Sequence, residues 1–349
     1  MIPLARPVVT DADVDAVVRV LRSGRLSLGA AVTRFEERCA AYLGVPHAVA
    51  VNSGTSALQM ALHTLGIGAG DEVITPSFSF VASAVPILQA GATPVFVEID
   101  PATFTLAPER LAEAVTPRTR AVLVVHTFGR PAPMDAVLDL ARRHDLRVIE
   151  DACEAFGAEI LNAKVGTLGD VGVFAFYPNK QLTTGEGGLL VTNDAARAAQ
   201  LVRLRNQGRD PSLDWLDHAE FGYSYRLSDL HAALGASQLE RIDHVLARRA
   251  AIARGYDRRL RDHRALRVPC LHVPGGTMSW FAYAITLDAR FGRDDRDRVV
   301  HALRARGIEC GRYFAPIHLQ PCIRDLPAFA TLSLPVTESV SARVLTLPF

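Results

Sequence analysis

The sequence predicts an α/β protein: a doubly wound, mostly parallel sheet followed by a smaller α+β domain. Seven short runs rich in Val, Ile and Phe, without strict alternation, read as strands covered on both faces. They are "HAVAVN" from His47, "DEVITP" from Asp71, "TPVFVEI" from Thr93, "AVLVVH" from Ala121, "RVIED" from Arg147, "VGVFAFY" from Val171 and "GGLLVTN" from Gly187. Amphipathic patterns lie between them. "TSALQMALHTLG" puts Leu58, Ala61, Leu62 and Leu65 on one helix face and stops at Gly66. "PMDAVLDLARRH" does the same with Met134, Val137, Leu138 and Ala141. Alternation of strand and helix predicts a parallel sheet.

After Ser228 the pattern changes. "LSDLHAALGASQLERIDHVLARRAAIARGYDRRL" reads as one long helix or two in tandem. "SWFAYAITL", "RDRVVHALRARG" and "IECGRYF" then predict strand, helix and strand. A large domain is expected over residues 1–245 and a small one over 246–349. No closing helix follows "VLTLPF", so a terminal helix is expected to be missing from the sequence.

Composition bounds the function. A chain of 349 residues with 49% hydrophobic and 21% charged residues predicts a sizeable core and excludes wholesale disorder. Lys+Arg number 38 against 37 Asp+Glu, so no global charge points to nucleic acid or an anionic membrane as partner. Cys39, Cys153, Cys270, Cys310 and Cys322 are scattered and form no C-x-x-C pair, which fits a reducing compartment. "MIPLARPVVTDADV" lacks the features of a signal peptide. The apolar stretch "SFVASAVPILQAGATPVFV" is broken by Pro86, Gly91 and Pro94, and reads as a helix followed by a strand. A cytoplasmic protein is expected. No cluster has metal-ligand spacing, so no metal is expected.

In doubly wound sheets ligands bind beyond the carboxyl ends of the strands. "VAVNSGTSALQM" runs a strand into Asn52-Ser53-Gly54-Thr55, where a helix begins. That junction is either a plain N-cap or a phosphate cradle, since a helix N-terminus offers free N–H groups and partial positive charge. "RVIEDACEAFGA" ends a strand with Glu150-Asp151, a place for a catalytic acid or for a helix cap. "TPSFSFVASA" offers Phe78 and Phe80, either of which belongs to the core or stacks on a flat ring, the latter worth about 0.5–1.5 kcal/mol beyond burial. "VFAFYPNKQLTTGEGGLL" sets Lys180 between an apolar run and Gly185, Gly187 and Gly188.

One cofactor explains all four. Pyridoxal phosphate (PLP) needs a phosphate anchor, an acid facing its pyridine nitrogen, a stacking face and a lysine that bonds its aldehyde. Lys180 would hold it and shuttle a proton, and Asp151 would keep the pyridine protonated. The glycines would permit close backbone approach. His126 reads as finishing a strand, while Tyr313 and His318 lie in an irregular segment, "RYFAPIHLQP", suited to lining a site.

The motifs "NSGTSAL", "VIEDACEAFGA", "FAFYPNKQLTTGEGG" and "FGYSYRLSDLHAALGASQL" resemble, in order, those of the DegT/DnrJ/StrS-type sugar aminotransferase family, as does "PIHLQP" at Pro316–Pro321. The resemblance implies a fold type I, aspartate-aminotransferase-like homodimer with PLP in two active sites at the subunit interface. It implies transfer of the amino group of L-glutamate to a keto group on a nucleotide-linked sugar. By motif position, Lys180 would be the Schiff-base lysine, Asp151 the partner of the pyridine nitrogen and Phe80 the stacking ring. Ser53, Gly54 and Thr55 would hold the phosphate, and Glu154 would lie near the cofactor's phenolic oxygen. Ser224, in "GYSYR", would reach the neighbouring subunit's cofactor. Tyr313, His318, Glu186 and Arg226 would meet the substrate. Two positions depart from the pattern: Ala175 stands where relatives have a phosphate-binding serine, and Ser224 where "GYNYR" members have Asn. One branch has histidine at the lysine position and performs dehydration, so Lys180 implies transamination. The alternatives are a non-nucleotide acceptor, such as a keto-inositol or an aminobenzoate precursor, and a non-catalytic regulator.

Overall fold

Seven strands make one sheet in a computed structural model that describes residues 1–210, 212–214 and 217–349. In chain order the strands are β1 (His47–Val51), β2 (Glu72–Pro76), β3 (Thr93–Val97), β4 (Thr119–Val125), β5 (Arg147–Asp151), β6 (Glu159–Ile160) and β7 (Ala163–Lys164). They continue with β8 (Val171–Ala175), β9 (Gly188–Thr192), β10 (Leu266–Arg267), β11 (Gly276–Thr277), β12 (Tyr283–Leu287) and β13 (Val344–Leu347). The large sheet runs β1-β9-β8-β5-β4-β2-β3. β9 is antiparallel to both neighbours, and the pairs β8/β5, β5/β4, β4/β2 and β2/β3 are parallel. All seven expected strands are present, and the α/β class is the expected one.

Non-alternating apolar runs have a direct cause here. Side chains along a strand point to opposite faces in turn, and both faces of this sheet are covered. Val122, Val124 and Val148 pack with Phe35, Phe174 and Phe176 beneath the helices Ala30–Leu43, Met134–His144 and Asp229–Leu239. Leu123, Ile149 and Val173 face the other way, against Leu58, Met60, Leu62 and Leu201 of the helices Gly54–Thr64 and Ala195–Arg205. Phe35 meets Phe176 edge-on at 5.3 Å, a favoured aromatic geometry.

The long stretch after Ser228 resolves into two helices in tandem, Asp229–Leu239 and Ile242–Leu260. Residue 245, the expected domain limit, therefore falls inside a continuous helix. Beyond it lies a three-stranded sheet, β10-β12-β13, flanked by the helices Arg293–Ala305 and Pro335–Arg343. Ile2 pairs with Ile308 and Phe349 N–H donates to the Leu4 carbonyl, so the first residues of the chain pack beside this smaller sheet.

The expected strand "IECGRYF" does not form. Its backbone groups are divided between two partners: Glu309 N–H donates to Ile2, while Gly311 and Thr346 exchange bonds of 3.0 and 2.9 Å. Neither contact extends into a ladder, and β13 takes the third place in the sheet. Among the described residues, no helix is long and apolar enough to cross a membrane, and no group of three or more His, Cys, Asp or Glu is placed to hold a metal.

Candidate active site

A cavity of about 440 Å³ opens at the carboxyl ends of the parallel strands. β1 delivers Ser53, Gly54 and Thr55 to its wall, β5 delivers Asp151, and the turn after β8 delivers Lys180. The two chemically decisive side chains, the acid and the amine, thus line one space.

At the β1 end, the Ser53 hydroxyl accepts from Ser56 N–H at 3.1 Å and lies 2.8 Å from the Ser56 hydroxyl. It caps the helix Gly54–Thr64. The first turn of a helix has N–H groups without intrahelical acceptors, and Gly54 and Thr55 of that turn line the cavity. A Cβ at Gly54 would lie 2.7 Å from that of Ala175 and 3.1 Å from the Cys153 sulfur. Only glycine lets this helix end sit so close to β8.

Asp151 is nearly buried and already oriented. Its Oδ2 accepts from the Ser83 hydroxyl at 2.7 Å, and its Oδ1 accepts from Cys153 N–H at 3.2 Å. Ser83 is 2.7 Å from the Ser79 hydroxyl. Since Ser83 spends its proton on Asp151, Ser79 must be the donor in that pair. Phe78 and Phe80 separate cleanly. Phe78 packs among Phe104, Phe128 and Phe314 in the core, whereas Phe80 is 61% exposed on the cavity wall.

The Lys180 amine lies 3.7 Å from Glu154 Oε1 and 4.2 Å from the centroid of the Phe281 ring. Glu154 Oε2 accepts from Phe128 N–H at 2.9 Å. Burial raises the Glu154 carboxyl above its ordinary range, and the Lys180 charge and the Phe128 N–H offset this only in part. The backbone of the following turn is also constrained: a Cβ at Gly188 would fall 2.3 Å from the Ser53 carbonyl oxygen.

The profile of the DegT/DnrJ/EryC1/StrS aminotransferase family matches residues 7–349. The chain belongs to that family. It is an aminotransferase, and curated relatives resemble it over most of their length. GDP-perosamine synthase of Caulobacter vibrioides is 42% identical over 92% of this chain and 85% of its own. The dTDP-3-amino-3,4,6-trideoxy-alpha-D-glucose transaminase of Streptomyces venezuelae is 41% identical over 95% of this chain and 86% of its own. The crystal structure of the aminotransferase TlmJ from Streptoalloteichus hindustanus superposes with a TM-score of 0.93 at 35% identity, covering 100% of this chain and 93% of that one.

The aminotransferase brings Ser53, Gly54, Thr55, Phe80, Asp151, Glu154, Lys180, Glu186 and Tyr313 to this one cavity. Three other expected residues lie elsewhere. His318 is buried, with Nδ1 2.7 Å from the Ser77 hydroxyl and Nε2 3.2 Å from Glu338. It braces the segment after β2 against the helix Pro335–Arg343 and does not line the cavity. Ser224 accepts from Arg226 at 2.8 Å, and Arg226 also donates to Asn206; Arg226 lines a separate hollow with Leu28 and Arg205.

His126 finishes β4. Its Nδ1 accepts from Ala132 N–H at 3.0 Å, so Nε2 carries the proton and donates to Glu150 at 3.0 Å. Glu150 also accepts from the N–H groups of Gly166, Leu168 and Gly169, and the pair is a buried brace.

Sequence reading missed Ser83, Phe281 and Phe128. Phe128 holds left-handed backbone angles, φ 57 and ψ 20, which cost a non-glycine residue about 1–2 kcal/mol. No local signal marks it. Ser83 sits in the quoted "TPSFSFVASA", and its hydroxyl is the one feature that could have suggested a partner for Asp151.

The raised carboxyl of Glu154 has a consequence for stability. A folded state that holds a carboxyl proton more tightly than the unfolded chain has its full stability below the ordinary glutamate range and loses it as pH rises from there through the raised folded value. Glu154→Gln, which cannot ionise, should raise the melting temperature of the cofactor-free protein at about pH 8. Its advantage should shrink toward zero near pH 4. An advantage that grows in acid would contradict the assignment.

Proposed function

We propose that this aminotransferase uses PLP to carry the amino group of L-glutamate to a keto group of a nucleoside-diphosphate-linked sugar, as a cytoplasmic homodimer. The observation that carries the reading is the convergence of Lys180, Asp151 and a helix N-terminus on one cavity. The printed names of the GDP- and dTDP-sugar relatives support the acceptor class.

The residues present fit the cofactor. The free N–H groups of Gly54 and Thr55 and the Thr55 hydroxyl suit a phosphate, assisted by the helix dipole. Phe80 supplies an exposed ring face for stacking. The Asp151 carboxylate, fixed by Ser83 and Cys153 N–H, is placed to hold the proton on a pyridine nitrogen. Bound there, PLP supplies an electron-withdrawing ring that accepts the electron pair left when a proton departs from the amino-bearing carbon.

The protein's own part is anchoring, orientation and proton movement. Lys180 would hold the cofactor. When free, its amine would be the base that takes the proton from the amino-bearing carbon and the acid that gives it back. Glu186 and Tyr313 also line the cavity and would meet the acceptor, and burial raises the Tyr313 hydroxyl above its ordinary range. In the proposed homodimer, Ser224 and Arg226 of a second copy complete the phosphate and substrate ends. His318 acts one layer behind, by holding the Ser77 segment that leads to Phe80.

Two measurements test this. Purified protein loaded with PLP should absorb in the visible. Lys180→Ala should lose that band and at least about a hundredfold in kcat. With L-glutamate as donor, ketosugars carried on GDP, dTDP or UDP should be aminated; amination of free keto-inositol alone would overturn the acceptor class. Ala175 places a methyl where a hydroxyl would meet the phosphate, beside Gly54. Ala175→Ser should slow cofactor loss about two- to tenfold, the range of one added hydrogen bond. Unchanged or faster loss on dialysis would place the phosphate elsewhere.

A further inference from the structure

Lys180 poses a problem that its anchoring role does not solve. During turnover the released amine becomes a cation inside a largely apolar cavity once it has taken up a proton, and a buried charge without compensation is expensive. It also has to remain close enough to bond the cofactor again. The amine of this side chain has two close neighbours. It rests over the face of Phe281 at 4.2 Å, with Glu154 Oε1 at 3.7 Å.

Both walls of that position are fixed by one strained residue. Phe128, in its left-handed conformation, donates its N–H to Glu154 at 2.9 Å and accepts Phe281 N–H on its carbonyl at 3.1 Å. The Gln181 amide, next to the lysine, ties the Glu154 and Ser279 carbonyls at 2.5 and 2.6 Å. Arg249 donates to the carbonyls of Trp280 and Phe281 from behind. A Cβ at Gly129 would fall 1.8 Å from the Ser279 carbonyl oxygen, so the two segments meet at backbone contact. Backbone outliers of this kind persist where the surroundings over-determine them, and they concentrate at working sites.

We propose that Glu154 and the Phe281 ring form a resting cradle for the Lys180 ammonium, occupied while the released amine carries the proton it has taken up. The proposal takes from the preceding section only that Lys180 is released during turnover. The aromatic face attracts the cation, and the carboxyl group offers it an oxygen. Held there, the amine leaves room for the incoming amino or keto compound and stays within a side-chain rotation of its bonding position. Phe281 is then a positioning residue for the lysine.

The chain offers an unusually clean test, because Lys164 and Lys180 are its two lysines. Lys164 pairs with Glu159 at 2.7 Å and lies over Tyr42, so it serves as an internal reference. Cofactor-free protein is treated with limiting N-hydroxysuccinimidyl acetate at about pH 8, and acetylation at the two lysines is compared by peptide mass spectrometry. Phe281→Leu and Glu154→Leu should each raise the Lys180-to-Lys164 ratio about three- to tenfold. Phe281→Tyr, which keeps a ring face, should stay within about twofold of the parent. If Phe281→Leu fails to fold, Phe281→Met provides the same comparison. A parental ratio in either the ring-deleted variant or Glu154→Leu overturns the cradle, as does an equal rise in Phe281→Tyr. No sugar and no cofactor enters this measurement, so a failed acceptor panel leaves it standing.

Discussion

β5 lies between β4 and β8 in parallel register, with Val125 and Val173 opposite Asp151, and that pairing sets the geometry of the whole site. Because side chains alternate along a strand, the last two residues of β5 serve opposite faces. Glu150 turns to one side and gathers His126 and three backbone N–H groups. Asp151 turns to the other and enters the cavity. A register slip of one residue would exchange the two carboxylates, turning Asp151 toward the brace and Glu150 toward the cavity. The Glu150 network resists such a slip by tying the loop ahead of β8 to the end of β5.

The same economy governs charge. Asp151, Glu154 and Lys180 are nearly buried together, and charges in such surroundings persist only when they are paired or hydrogen-bonded. Asp151 is satisfied by Ser83 and Cys153 N–H, and Glu154 by Phe128 N–H. The amine has an aromatic face and a carboxyl oxygen. Each ionisable group thus has a partner within the protein, and the cavity is preorganised.

What could be read from the sequence follows a physical line. Strands such as "AVLVVH", and the strand-to-helix junction at Ser53-Gly54-Thr55, are written in consecutive residues, so local pattern was sufficient. Lys180 and Asp151 were legible because strand ends of one parallel sheet converge by topology. Phe281 reaches Lys180 from a distant part of the chain, and nothing in "SWFAYAITL" distinguishes its ring from an ordinary strand residue. The segment "IECGRYF" carries strand composition, yet Ile2 and Thr346 compete for its hydrogen bonds. His318 looked like a site residue because it lies in an irregular segment, but the Ser77 hydroxyl and Glu338 capture both of its nitrogens.

The central claim is that one ε-amino group, that of Lys180, bonds the cofactor in a cavity whose acid is Asp151. Borohydride reduction of PLP-loaded protein, followed by digestion and mass spectrometry, tests it directly, because the chain has two lysines between which to choose. The account predicts a phosphopyridoxyl mass on the peptide that contains Lys180 and none on that of Lys164. An adduct on Lys164, or no adduct on either, would contradict it.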